Sequence, residues 1–421
     1  MTPRRLLVIT YYYPPQPGSG SNRWAALVKY LRRQGHSVTV LTAAPPGHPP
    51  GVTDGVIRTP SLNSSPLVRR MLLRRAPQAP GADDGANAGG VMPAWLWQLL
   101  PPDPWVVSWD PAAYRAALRA LNREPVDCVI TSSPAESTHL LGIGAARRAA
   151  WVADFRDGWT FEPLRPSFPT GFQRGLDRRL EERVVRRADA VVSVTSPIVE
   201  DFVARLGVPA ELITNGFDPE LVRPAPAPPT PEQELTFVHT GALSGPRGRD
   251  PRPLLRALRR LVEAEPGLRG SVKVVVAGRS EEDERALVEA EGVGDLVRHV
   301  GYVPRAEALE LQRAAGTLLL ITSRDRCEAT GKLYEYMASG RPVVALAEGN
   351  EAARIVAETN IGTVVAPDDV EGIQAALADA ISGRLRREYA PRSIDRYAYP
   401  ALAERMAEVV ELALERRVAR A

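Results

Sequence analysis

One stretch, residues 317–346, limits the folds open to this chain. It begins with a short apolar run, Thr317-Leu318-Leu319-Leu320-Ile321, and ends with another, Val343-Val344-Ala345-Leu346. Runs of this length, bounded by polar residues, predict strands buried on both faces, as in a parallel sheet. Between them lie a loop, residues 323–330, and a short helix. Leu333, Tyr336 and Met337 share one face of that helix at spacings of three and four, and Gly340 stops it. Such a strand–loop–helix–strand unit sets the first turn of the helix outside the carboxyl end of the sheet. Doubly wound folds bind anions at that place.

The residues of that turn suit an anion. Gly331 lets a phosphate approach the backbone N–H groups, and Lys332 adds a positive charge beside it. Glu335, one turn on, can accept hydrogen bonds from two neighbouring hydroxyls, as on a ribose. Together they fit a nucleoside diphosphate. An ordinary helix with a surface Lys332/Glu335 pair fits the same residues, so this stretch alone leaves both readings open.

A chain of 421 residues is too long for one hydrophobic core and implies two domains or three. With 44% hydrophobic and 24% charged residues, its composition is that of a soluble globular protein. A formal net charge of +3 argues against a dedicated nucleic-acid binder. Two distant cysteines, Cys128 and Cys327, make neither a disulfide framework nor a zinc site, and a reducing cytosol fits them. The first apolar run, residues 6–10, is too short for a signal peptide or a membrane span, and no stretch elsewhere is long enough to cross a bilayer. A cytoplasmic location is therefore expected.

The first half of the chain repeats the strand–helix alternation. After the strand at 6–10, prolines force a loop that ends in Gly18-Ser19-Gly20-Ser21. That turn opens a helix, expected over 24–34, and a strand at 37–42 completes a βαβ unit. The small-residue turn is a candidate phosphate cradle. It is not the dinucleotide fingerprint, because Arg23 stands where that motif has its third glycine and no acidic residue closes the second strand. Residues 76–91 are low in complexity. Trp95, Trp97, Trp105 and Trp109 then cluster among prolines, read chiefly as a local core and alternatively as an acceptor wall or a membrane-touching loop. His139 opens a helix just after the strand at 128–131, at a sheet edge where sites form. A core or surface role competes there with a catalytic one. Arg156 and Asp157 follow the strand at 151–155 and read as structural support for the site's floor. The helix expected over 171–187 is strongly basic, a solvated face or a surface for anionic lipid.

Residues 219–234 are a stiff proline-rich linker, and a second α/β pattern follows. Three of its strands end in glycine, at Gly241, Gly278 and Gly301, with Arg249 and Arg279 just beyond two of them. Glycines admit a ligand to the backbone and arginines fork onto phosphate oxygens. With Lys332 and Glu335 they predict one concave, basic edge.

This constellation resembles the GT-B glycosyltransferases, and more closely glycosyltransferase family 4, over nearly the whole chain. The likeness rests on Tyr-Tyr-Pro-Pro with its glycine turn at 12–20, Asp-Phe-Arg-Asp-Gly-Trp at 154–159, Ile-Thr-Asn-Gly-Phe-Asp at 213–218, and Gly-Arg-Asp-Pro-Arg-Pro-Leu-Leu at 248–255. The most specific match is Lys-Leu-Tyr-Glu-Tyr-Met-Ala-Ser-Gly-Arg-Pro-Val-Val at 332–344. The resemblance implies two Rossmann-like, doubly wound parallel-sheet domains facing across a cleft. Residues 1–218 would be the acceptor side, with the terminal helix at about 399–421 packing back on it. Residues 235–398 would hold the nucleotide sugar. It further implies a retaining transfer from a nucleotide diphosphate sugar, UDP-linked by expectation, to a glycan, lipid-linked or natural-product hydroxyl, without metal or other cofactor. The subgroup it is most similar to builds bacterial surface polysaccharides.

By that likeness Glu335 holds the donor ribose. Arg249 and Lys332, with Gly331, neutralise the diphosphate. Gly241 and Arg279 line the donor site, Gly18, Ser19, Gly20 and Ser21 contact the sugar-phosphate, and His139 stands near the transferring sugar. One departure is plain: the family often carries a first Glu eight residues before the ribose Glu, and here that position is Cys327, with Glu328 one residue out of register. A nucleotide-sugar 2-epimerase and a non-catalytic nucleotide-sugar-binding subunit are the alternatives. Peripheral contact at the inner face of a membrane is a further open question.

Overall fold

The computed structural model describes residues 2–62, 98–162, 165, 167–221, 235–244, 249–278 and 282–420. Residues 76–91, Trp95, Trp97, most of the proline linker and Arg279 lie outside them. The chain divides into two compact units, Met1–Thr214 with Tyr399–Ala421, and Asn215–Ala398.

The first unit is built on eight strands: β1 (Arg5–Thr10), β2 (Ser37–Ala43), β3 (Gly51–Thr53), β4 (Val56–Thr59), β5 (Cys128–Ser132), β6 (Ala150–Phe155), β7 (Ala190–Ser193) and β8 (Glu211–Leu212). They lie in the order β3-β4-β2-β1-β5-β6-β7-β8. Every pairing is parallel except the β3–β4 hairpin. β1 is central and buried from Leu6 to Thr10, because helices cover both faces of such a sheet.

One covering helix, Ser19–Arg33, starts five residues before the expected position. Gly18, at φ 126°, turns the chain, and the Asn22 N–H closes the first turn on the Gly18 carbonyl at 3.0 Å. Trp24, Leu27 and Leu31 recur on its inner face and share a core with Leu402, Met406 and Val410 of the terminal helix Tyr399–Arg420. Each such side chain contributes roughly 1.5–3 kcal/mol relative to exposure. Arg4 and Glu411 pair at 2.6 Å across the same junction. Trp105 and Trp109 are buried in the core on the other face, with Leu7, Ile9 and Tyr11.

The break between the units falls at Thr214 and Asn215, four residues before the expected boundary. Phe217 causes the difference. Its N–H donates to the Tyr397 carbonyl at 3.0 Å, it bridges to Ala398, and its ring joins the core of the second unit.

The second unit has six strands: β9 (Leu235–Thr240), β10 (Val272–Ala277), β11 (Val297–His299), β12 (Thr317–Ile321), β13 (Val343–Leu346) and β14 (Gly362–Val365). The order is β11-β10-β9-β12-β13-β14 and every pairing is parallel. The chain runs outward from β9 to β11, then returns to place β12 on the other side of β9. The β9/β12 junction is therefore the point where the winding reverses; in the first unit the β1/β5 junction is its counterpart. A helix at Glu351–Thr359 was not expected. Its local signal was the cap, where the Asn350 side chain accepts from the Ala353 N–H at 2.9 Å.

Candidate functional site

In the second unit, the helix Gly331–Ala338 rises from the loop after β12, at the winding reversal. Leu333, Tyr334, Tyr336 and Met337 anchor it in the core. Its first turn is left electropositive. Thr330 occupies the cap position without a side-chain capping bond, its Oγ1 is buried with no hydrogen-bond partner, and the turn holds no acidic residue.

Two cations converge beside this turn. His239, buried near the end of β9, lies between the carbonyls of Leu319 and Ala242 at 2.9 and 3.1 Å. Its ring is pushed down to about 3, first by burial, then by the charge of Lys332 and also by that of Arg249, against the pull of the two carbonyls. Lys332 and Arg249 thus act together on one ring, which stays neutral. The Arg249 Nε is buried and has no hydrogen-bond partner.

Glu335 meets the helix Arg305–Ala314. Its Oε1 accepts from Arg305 Nε at 2.9 Å and its Oε2 from Gln312 Nε2 at 3.4 Å. Gln312 Nε2 also donates to Thr240 Oγ1 at 3.1 Å, and the Thr240 N–H donates to the Tyr336 hydroxyl at 2.8 Å. Glu335 is thereby fixed, yet each carboxylate oxygen keeps an acceptor position. It lines a small pocket with Phe217, Asp218, Leu309 and Gln312, and the buried Gln312 Oε1 has no partner.

The glycines at this edge have a structural cause. A Cβ on Gly278 would stand 2.3 Å from the Gly241 carbonyl carbon, and Gly241 itself is at φ 130°. Close packing of the β9 and β10 ends therefore requires both. Glu328 is turned inward: its Oε2 accepts from the Ser323 N–H at 2.6 Å and from the Ser323 hydroxyl, bracing the loop.

In the first unit the glycine turn carries a guanidinium. A Cβ on Gly20 would lie 2.0 Å from Arg156 Nη1, and Arg156 Nη2 donates to Ser19 Oγ at 3.0 Å. The expectation that Arg156 and Asp157 form the structural support is corrected. The buried ion pair is Arg23–Asp154, 2.9 Å apart and fully enclosed. Arg23 also donates to the Thr214 carbonyl at 2.7 Å, and Asp154 accepts from Ser132 Oγ at 2.7 Å. Packing of the helix start on β6 and β8 leaves no water there, so the charges must pair.

His139 has no exposed surface. Its Nδ1 lies 2.8 Å from Thr131 Oγ1, its ring stacks on Phe155 at 4.3 Å, and its Nε2 has no partner. Burial lowers it to about 3, so it is neutral. Beside its helix, Asp103 accepts from the N–H groups of Trp105 and Ser137 at 2.9 and 2.8 Å. Burial raises Glu136 to about 8, with Arg165 opposing. Among the described residues, no three His, Cys, Asp or Glu side chains cluster as a metal site would require.

Sequence reasoning missed His239, Arg305, Gln312 and the placement of Arg156. Arg305 carried one signal: it opens a helix after a strand end at the sheet edge, as Lys332 does.

Known proteins resemble the chain in both halves. Residues 18–216 match the family model for the glycosyl transferase 4-like domain, and residues 234–383 match that for glycosyl transferases group 1. A phosphatidyl-myo-inositol mannosyltransferase of Mycolicibacterium smegmatis is 27% identical over 313 residues, 72% of this chain and 75% of that one. The fold is shared with sucrose-phosphate synthase of Thermosynechococcus elongatus, at TM-score 0.63, 17% identity and coverage of 97% and 98%. It is also shared with an α,α-trehalose-phosphate synthase (UDP-forming) of Burkholderia xenovorans, at TM-score 0.63, 13% identity and coverage of 97% and 100%.

Proposed function

Because the chain belongs to the GT-B glycosyltransferases of the family 4-like kind, its halves matching that family's two domain models, we propose that it transfers a sugar with retention of configuration. It is a glycosyltransferase that draws on nucleotide-sugar donors. The finer reading assigns a UDP-linked donor and, as acceptor, a hydroxyl on a glycan, lipid-linked or natural-product molecule. The reaction would run at the cytoplasmic side, in polysaccharide assembly.

One observation carries this reading: Lys332 and Arg249 act on the same buried ring beside an uncapped helix start at Gly331. When the anomeric C–O bond breaks, the departing diphosphate gains negative charge. A clamp already in place stabilises that charge without reorganising, and loss of one such group costs about 10²–10³ in rate. Glu335 takes the ribose hydroxyls on its open acceptor positions. Gly241 completes the donor side. The family likeness would put Gly18, Ser19, Gly20 and Ser21 at the sugar-phosphate. The acceptor hydroxyl attacks from the leaving-group face and gives its proton to a donor phosphate oxygen, so neither a side-chain nucleophile nor a metal is required. His139, neutral and enclosed, is not assigned a proton.

The test is nucleotide release from a panel of sugar nucleotides, with soluble and polyprenyl-linked acceptors and with chelator present. Lys332→Ala and Arg249→Ala should each lower turnover by about 10²-fold with unchanged melting. Wild-type rates in both would remove the clamp.

A further inference from the structure

The helix Gly171–Arg187 is held to the first unit by its inner face, where Asp177, Glu181, Val184 and Val185 are buried. Its outer face is ordered in an unusual way. Phe172, Leu176, Arg179 and Arg183 follow one another at spacings of four, three and four, and so form one stripe along the helix. Phe172 is 78% exposed and Leu176 36%. The chain at Leu99, 51% exposed, is tied to the first turn by Gln173 Nε2, which donates to the Gln98 and Leu99 carbonyls at 2.9 and 3.1 Å. Arg187 flanks the stripe. Arg179, Arg183 and Arg187 have no ion-pair or hydrogen-bond partner among the described residues, and the exposed carboxylate of the helix, Glu182, is taken by Arg186 at 2.9 Å.

A large aromatic ring left in water beside two leucines is not explained by the unit's own packing. A solvated face would carry mixed charges, whereas this one is nearly all guanidinium. We propose that this face docks on an anionic lipid surface: Phe172, Leu176 and Leu99 enter the interfacial layer, and the arginine row lies against the headgroup phosphates. The chemistry fits both ends. Aromatic and aliphatic tips partition into the headgroup–acyl boundary, and arginine stems lie along it while their heads fork onto phosphate. The helix is neither long nor apolar enough to cross a membrane, so it would lie in the interface plane. The surface deepens the lipid-linked-acceptor reading, but its test does not depend on turnover.

The full chain is mixed with sucrose-loaded vesicles of phosphatidylcholine alone, or with 30 mol% phosphatidylglycerol, and sedimented at about 0.05 M and 0.5 M salt. Binding should appear on the anionic vesicles at low salt, where the Debye length exceeds 10 Å, and fade at high salt. Arg179→Ala with Arg183→Ala should weaken it by about 25-fold, at about fivefold per charge. Phe172→Ser should weaken it by about tenfold at either salt, since its contact is apolar. Arg386→Ala with Arg387→Ala, the same charge change in the second unit, should leave it unchanged. Thermal melts establish that the variants fold, which their exposure favours. Wild-type protein that stays in the supernatant with anionic vesicles overturns the proposal. So does equal loss from the Arg386/Arg387 control, or vesicle binding indifferent to Phe172, which would mark a general polyanion surface. Because the readout is sedimentation, absence of transferase activity in any donor screen leaves this result standing, and a failure here leaves the clamp at Lys332 untouched.

Discussion

Asp110 opens the helix Asp110–Arg123 and is only 6% exposed. Neither of its carboxylate oxygens reaches a hydrogen-bond partner. Burial, and then the neighbouring Asp103, push its carboxyl up to about 8 from an ordinary 3.8; the Ser137 hydroxyl, which faces it without completing a bond, offsets only part of this. The folded chain therefore holds a proton at neutral pH that the unfolded chain releases. This is the reverse of a paired surface carboxylate: stability from Asp110 is whole below about pH 4 and is lost as pH rises toward 8. At about 1.4 kcal/mol per pH unit, the loss reaches about 4 kcal/mol at pH 7 and about 1.5 kcal/mol at pH 5. Asp110→Asn keeps the shape and cannot ionise. Relative to the parent it should gain roughly 3 kcal/mol more at pH 7 than at pH 5, or about 6–12 °C in melting for a unit of this size. All seven tryptophans lie before residue 160, so intrinsic fluorescence reports the first unit selectively. Melts of both proteins at pH 5, 6 and 7 and fixed ionic strength supply the comparison. A melting difference independent of pH, or one that shrinks toward pH 7, would refute the reasoning.

Arg305→Ala should raise the KM for donor roughly tenfold, since it removes a charge-assisted bond that orients Glu335, with kcat within about threefold; an equal fall in kcat would place Arg305 in the chemistry. Arg23→Met strands a buried carboxylate and should destabilise the first unit by about 3–5 kcal/mol in urea melts, with partial recovery when Asp154→Asn is added. Less than about 1 kcal/mol would mean that Asp154 takes a proton there instead. Gly20→Ala puts a Cβ 2.0 Å from Arg156 Nη1 and must move that guanidinium off Ser19. Turnover should fall with little change in melting, and Arg156→Ala should reproduce the loss. Wild-type rates in both would leave the glycine turn a structural feature.

Much of the fold was legible because its signals are local. Continuous apolar runs marked β5, β12 and β13 to within a residue. Gly331 and Gly340 bracketed one helix, where a residue without a side chain opens the first turn and a left-handed stop ends it. The helix Glu351–Thr359 was missed, although its asparagine cap and the buried positions Ala352, Ile355, Val356 and Thr359 mark it. The carboxyl-edge position of the helix start at Gly331 also followed from strand–helix order, because a helix that follows a parallel strand begins at that strand's carboxyl end.

Strand order was not local, and much of the site turns on it. Nothing near residue 239 says that β9 will lie beside β12, yet that neighbourhood brings His239 under the charges of Lys332 and Arg249. Arg23 read as a failed glycine in a fingerprint; burial against β6 made it half of an enclosed ion pair, and freed Arg156 to cover the glycine turn. His139 had the right sequence address for a site, but stacking on Phe155 closed its surface. Residue types and spacings determined which chemistry the chain carries, since propensity and periodicity act within a few residues. Which charges meet, and which are sealed from water, was decided only when distant strands were packed together, because burial and Coulomb energy depend on distance in space.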